Sequence, residues 1–196
     1  MNWLDIIAGF VILLFVIRGI IRGLFREGIG LICLIVGLIV AVNRYQQLGK
    51  VIQEEVGLLS LKISNIVAFV VIFVGIAIIG AIAGVLIHNL LYRYPVTRGL
   101  EEGGGFILGL IEGALICSVI LLLISVSPFA DKFETFSEGS ILKPYLLKVG
   151  PFVYDSIASI TPGKTKKFIE KLDPANLSQL SKNLSSGERI VENLRR

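Results

Sequence analysis

The sequence predicts an all-α membrane protein: four transmembrane helices with Gly-rich packing faces, then amphipathic interfacial helices and a polar tail. Three observations carry this. The 196 residues are 54% hydrophobic and 17% charged, with a mean hydropathy of +0.81, against about 25% charged in soluble chains. A soluble domain of this size hides only about 70% of its chain's surface, too little for that much apolar area. The charge is also uneven, with 8 Lys/Arg and 7 Asp/Glu in residues 1–126 but 11 and 8 in residues 127–196. Finally, two apolar runs reach the roughly 20 residues that a spanning helix needs. Residues 66–87 carry no charge, and residues 106–126 carry only Glu112.

The first 42 residues divide into two further helices. Arg18, Arg22, Arg26 and Glu27 separate two shorter apolar runs. Helices over 3–21 and 24–42 place these arginines at helix ends, where long stems reach the headgroups. The turn then falls near Arg22-Gly23. The expected crossings are 3–21, 24–42, 64–88 and 104–126, forming a domain over 1–127. The N-terminus lacks the basic leader and the small-residue cleavage site of a signal peptide, so the first helix is expected to be retained.

Basic residues in short connections set orientation. Arg18, Arg22 and Arg26 lie in the first connection, and Arg93 and Arg98 in the third. The second carries Arg44, Lys50 and Lys62, offset by Glu54 and Glu55. This favours the first and third connections in the cytoplasm and both termini outside. The basic tail argues the other way, although long segments count for less.

Residues 128–160 read as a membrane-surface segment. Pro128 ends the fourth crossing, and Leu142, Leu146, Val149, Val153, Ile157 and Ile160 form an amphipathic stripe interrupted at Gly150-Pro151. Two short surface helices would bury it. Residues 161–196 form a polar, mobile tail in this reading, with one short helix after Asp173-Pro174.

Small residues spaced by four let helix backbones approach closely in lipid. Gly105, Gly109 and Gly113 do this on the fourth crossing, Gly80 and Gly84 on the third, and Gly19 and Gly23 at the first turn. They point to packing within the chain, or to contact with a second copy or a membrane-protein partner. Glu112 is an acid at membrane depth, expensive unless paired, protonated or wetted. It either completes an interhelical contact, with Arg18, Arg22 or Arg98 as partners, or serves a proton relay or polar cavity. No second carboxylate or histidine stands out at depth to build a relay. Arg18, Arg22 and Arg26 read as a cytoplasmic anchor or a site for lipid headgroups or a partner. Glu27 and Asp5 suit the positive ends of their helices, and Glu27 is also placed to pair with an arginine. Ser118 and Ser125 are expected to bond to carbonyls one turn back.

Enzymatic chemistry finds no support. His88 is the only histidine, no nucleophile converges with a base and an orienting group, and Glu101 and Glu102 are adjacent at a loop. Cys33 and Cys117 read as small apolar fillers. Neither a metal nor a cofactor is expected, and no basic face interleaved with aromatics points to nucleic acid. The expected partner is the lipid bilayer.

Several of these residues also form a family pattern. Asn2-Trp3-Leu4-Asp5-Ile6-Ile7, the run Ile21-Arg22-Gly23-Leu24-Phe25-Arg26-Glu27, Tyr45, the ladder Gly105, Gly109, Gly113, and Ser140-Ile141-Leu142-Lys143-Pro144 together resemble the colicin V production protein (CvpA) family over about residues 1–160. Two positions depart from the pattern: Glu101-Glu102 replace an Asp or Asn followed by Arg, and Glu112 stands where a basic residue is common. The resemblance implies a multi-pass protein of the bacterial inner membrane, tied to colicin or toxin production or export and to envelope maintenance. Two functional classes stay open. One is a non-enzymatic membrane factor acting through membrane and partner contacts. The other is a small transporter or channel using Glu112 and the loop arginines.

Overall fold

The computed structural model describes residues 2–57, 60–91, 98–160 and 168. Among these residues the chain is all helical: α1 (Trp3–Val56), α2 (Leu61–Leu91), α3 (Arg98–Val126), α4 (Ala130–Ser137) and α5 (Lys143–Ile160). The first three contain stretches long and apolar enough to cross a membrane. The tail after 160 lies outside the described residues, apart from Phe168.

At 54 residues, α1 would run about 80 Å as one straight rod, far more than the roughly 30 Å of a hydrocarbon core. It is not one rod. Gly23 has φ 76 and ψ 168, a region essentially restricted to glycine, and the helix breaks there into arms over 3–22 and 24–56. The second arm runs past residue 42, where the apolar stretch ends. Residues 43–56 are rich in Arg, Gln, Lys and Glu, good helix formers that continue a helix without lipid. The helix of α3 likewise begins at Arg98, so Glu101 and Glu102 stand in its first turns and not in a loop.

The chain divides into two compact units, residues 11–113 and residues 1–10 with 114–196. In the first unit the two arms of α1 run in opposite senses. The backbone of α3 meets the first arm at Gly105 against Gly19, Gly109 against Phe15 and Gly113 against Ile12, an antiparallel order. It meets the second arm at Gly104 against Leu24 and Leu108 against Gly28, a parallel order. Helix α2 packs antiparallel to the second arm, with Gly84 against Arg26, Gly80 against Cys33 and Asn65 against Gly49. Leu34, Leu38, Ala41 and Ala68 are buried in this unit. Ile78, Ile79, Ile82 and Leu86 of α2 are exposed, an apolar face suited to lipid.

The second unit is organised around α5. Its Leu146, Leu147 and Tyr154 are buried, and the Gly150 amide donates to Ser118 Oγ of α3 at 2.8 Å. Ser118 therefore accepts a long-range bond in place of the expected bond one turn back, and Ser125 Oγ, expected to bond the same way, is buried without a hydrogen-bond partner. Pro151 lies within one continuous helix, where the sequence predicts two helices divided at Gly150-Pro151. The hydroxyl of Ser118 gives the amide beside the proline an acceptor, which eases the local break in the helix ladder.

The Asp5 carboxylate ties the start of α1 to the start of α5. It accepts from Ser140 Oγ at 2.6 Å, Leu142 N at 3.0 Å and Ile141 N at 3.3 Å, and from Asn2 N at 3.1 Å. Asn2 Nδ2 in turn donates to the carbonyls of Phe136 and Glu138 at 3.0 and 2.7 Å. Asp5 thus caps two helix starts, its own and that of α5, satisfying orphan N–H groups at both. Nearby, Lys143 Nζ donates to Ser137 Oγ at 2.7 Å. Burial holds the Lys143 ammonium below its ordinary pKa, with Glu134 and Glu138 pulling it back up.

Candidate functional site: a buried charge cluster under the Gly23 bend

The break at Gly23 assembles the polar centre of the first unit. On a straight helix, Arg18 and Glu27 would lie about 13 Å apart along the axis and on opposite sides. Here Arg18 Nε is 3.4 Å from Glu27 Oε1, because the second arm folds back beside the first. Helical side chains tilt toward their own N-terminus. Arg18 approaches the bend from below and so points away from it, while Glu112 on the antiparallel α3 points toward it. They meet with Arg18 Nη2 donating to Glu112 Oε1 at 2.7 Å.

One guanidinium therefore serves two acids. Glu27 and Glu112 are 0% and 3% exposed, whereas the Arg18 side chain is 34% exposed. Arg18 also lies over the Phe15 ring, 4.8 Å from its centroid. Arg22 reaches Glu27 Oε2 only at 4.0 Å. Both Glu27 oxygens, Glu112 Oε2, Arg18 Nε and Arg26 Nε are buried without a hydrogen-bond partner. Close pairs of opposite charge offset part of the desolvation cost, and breaking one such pair is far costlier than never having it.

All eight singled-out residues lie within the first unit. Glu27 and Glu112 share Arg18, and Arg22 flanks them. Gly23 forms the bend, where a side chain would come within 3.7 Å of Glu101 Cβ. The Arg26 stem lies against α2, its Cγ 3.7 Å from where a Cβ of Gly84 would stand. Gly105, Gly109 and Gly113 line the approach of α3 to the first arm. A Cβ on Gly113 would come within 3.1 Å of Ile12 Cα, and one on Gly105 would collide with the Gly19 carbonyl.

Two features are not evident in the sequence. Glu27 is a second carboxylate at the Glu112 site, contrary to the expectation that Glu112 stands alone at depth. Its signal is present, an acid nine residues beyond an arginine across a glycine, but it becomes legible only once the fold-back is known. Asp5 does more than suit its helix end: it joins the Asn2 and Ser140 segments, which read as separate motifs in the sequence. Of the partners considered for Glu112, the side chain of Arg98 lies outside the described residues, as does that of His88. Among the described residues, no group of three His, Cys, Asp or Glu side chains is placed to hold a metal.

Long apolar helices with exposed apolar faces, glycine-mediated helix contacts and charges gathered inward define an α-helical membrane protein. Residues 4–151 match the colicin V production protein family. The chain belongs to that family, and the membrane character of its helices fits a membrane protein in toxin production. No curated protein and no solved structure matches it.

Proposed function

We propose that this chain is a four-crossing protein of the bacterial inner membrane. In this reading it acts in colicin production or export and in envelope maintenance without catalysing a reaction, through membrane and partner contacts. The observation that carries the reading is the Arg18–Glu112 contact with Glu27 beside it. The charges at depth are used to join the two arms of α1 to α3, which is what a packing element needs. The glycine ladder of α3 serves the same packing role.

The crossing count has independent support. The Asn2 side chain bonds to the carbonyls of Phe136 and Glu138, so both ends of the path from residue 2 to residue 138 lie at one level. This supports an even number of crossings. An unbroken α1 followed by α2 and α3 gives an odd number, whereas a turn at Gly23 gives four. Residues 128–160 then lie on the membrane surface, with both termini on the side opposite Arg22, outside the cytoplasm.

A transport role is the second reading. It draws on one observation: two buried carboxylates share a guanidinium, and three of their oxygens have no hydrogen-bond donor. Glu112→Gln separates the two. Complementation of a deletion strain at normal protein level supports the packing role. Loss of complementation at unchanged abundance, with altered flux into proteoliposomes, overturns it in favour of transport.

A further inference from the structure

We propose that Arg22 and Arg26, at the bend of α1, bind the phosphate of an anionic phospholipid headgroup. The inference rests on the four-crossing reading. The first arm of about 20 residues is about 30 Å long, the thickness of the hydrocarbon core, so a chain that crosses once before Gly23 has its bend at the headgroups.

Among the described residues, Arg22 and Arg26 have no carboxylate oxygen closer than 4.0 Å, although Glu101 also lies near the bend. Arg18 is occupied by Glu112 at 2.7 Å and Glu27 at 3.4 Å. Glu27 is therefore shared, and Arg22 reaches it only at 4.0 Å. Arg26 has no carboxylate within 4.0 Å among the described residues, Glu101 included, and its buried Nε has no hydrogen-bond partner. A buried guanidinium donor without an acceptor is costly. The fork of N–H groups that remains matches the oxygens of a phosphate.

The surroundings identify the source of that phosphate. Ile21 is 79% exposed and Phe25 44% exposed, and they alternate with the two arginines along the bend. A headgroup bound at Arg22 and Arg26 would lay its acyl chains along these apolar side chains. Free phosphate would gain nothing from them. The packing of the Arg26 stem against Gly84 holds one arm of the site between α1 and α2.

The test uses the full chain in phosphatidylcholine bilayers and measures binding of spin-labelled phosphatidylglycerol relative to spin-labelled phosphatidylcholine. Wild type should prefer phosphatidylglycerol, and the preference should weaken as salt rises. Each of Arg22→Gln and Arg26→Gln should lower it about fivefold, and the double variant about 25-fold, from about 1 kcal/mol per arginine near an anionic surface. Arg44→Gln, at the far end of the second arm, should leave it unchanged. Equal binding of the two lipids, or a preference insensitive to salt, overturns the site even if the variants fail to fold. Displacement of the labelled lipid by millimolar inorganic phosphate, with equal effect in either lipid, would make this a free-phosphate site and overturn the lipid assignment. Labelling of Arg22→Cys by a membrane-impermeant thiol reagent separates the two levels. A labelled residue 22 without lipid preference overturns the site and leaves the crossings standing, whereas an unlabelled one overturns both.

Discussion

Replacing Glu112 offers a graded test of the buried cluster. Glu112→Gln keeps an oxygen facing Arg18 Nη2, so the 2.7 Å contact persists as an ordinary interhelical hydrogen bond. Its cost should be about 1–2 kcal/mol, the upper range for such bonds in lipid. Glu112→Ala removes the acceptor altogether and leaves Arg18 with Glu27 alone. Breaking a fully buried pair costs about 3–5 kcal/mol. The Arg18 side chain is 34% exposed and recovers part of this by turning toward water, so about 3 kcal/mol is expected, roughly a hundredfold in the folding equilibrium. Equilibrium unfolding in mixed micelles measures both variants. The double variant Arg18→Gln, Glu112→Gln should depart from additivity by at least about 0.5 kcal/mol, as contacting residues do. Additive behaviour, or an alanine variant no worse than the glutamine one, would refute the assignment of Arg18 and Glu112 as a stabilising pair.

Other sites give independent outcomes. Gly23→Ala forces a side chain into a conformation reserved for glycine and should cost about 1–3 kcal/mol, read as a lower unfolding midpoint, whereas Gly9→Ala, within a regular helix and with no atom within 4 Å of an added Cβ, should leave the midpoint unchanged or raise it. Gly109→Leu should separate α3 from the first arm at Phe15 and reduce membrane accumulation of the folded protein. Normal accumulation with wild-type detergent stability would show that the ladder is not a packing face. Asp5→Ala withdraws the acceptor of Ser140 Oγ, Ile141 N and Leu142 N. At about 1.5–3 kcal/mol for bonds to a charged group, amide exchange should rise at residues 141–146 while the first unit stays protected.

Much of the architecture is legible in the sequence because lipid imposes a simple rule: a long apolar run becomes a helix. Residues 66–87 and 106–126 need only counting, and Gly23 between arginines marks the turn. The second arm of α1 beyond residue 42 is not legible from hydropathy, because the polar residues 43–56 continue the helix by propensity alone. Helix α4, with eight residues, is too short for periodicity to reveal. At the site, Glu112 and its candidate partner Arg18 follow from the cost of a charge at depth. That Glu27 pairs with an arginine is also legible, but that it shares Arg18 with Glu112 is not, because this neighbour is set by the fold-back and not by helical spacing. The same holds for Asp5 and Ser140, which are 135 residues apart in sequence. Each reads locally as a cap, and only tertiary structure shows that they cap together.

If α1 turns back at Gly23 as proposed, four crossings return the chain to the level at which it began. Single cysteines at residues 2, 22, 55, 100 and 138, probed with a membrane-impermeant thiol reagent in intact cells and in inverted vesicles, test this proposal most directly. Residues 22 and 100 are expected to react from one side, and residues 2, 55 and 138 from the other. Residue 22 labelled from the same side as residue 2, or residues 2 and 138 labelled from opposite sides, would contradict it.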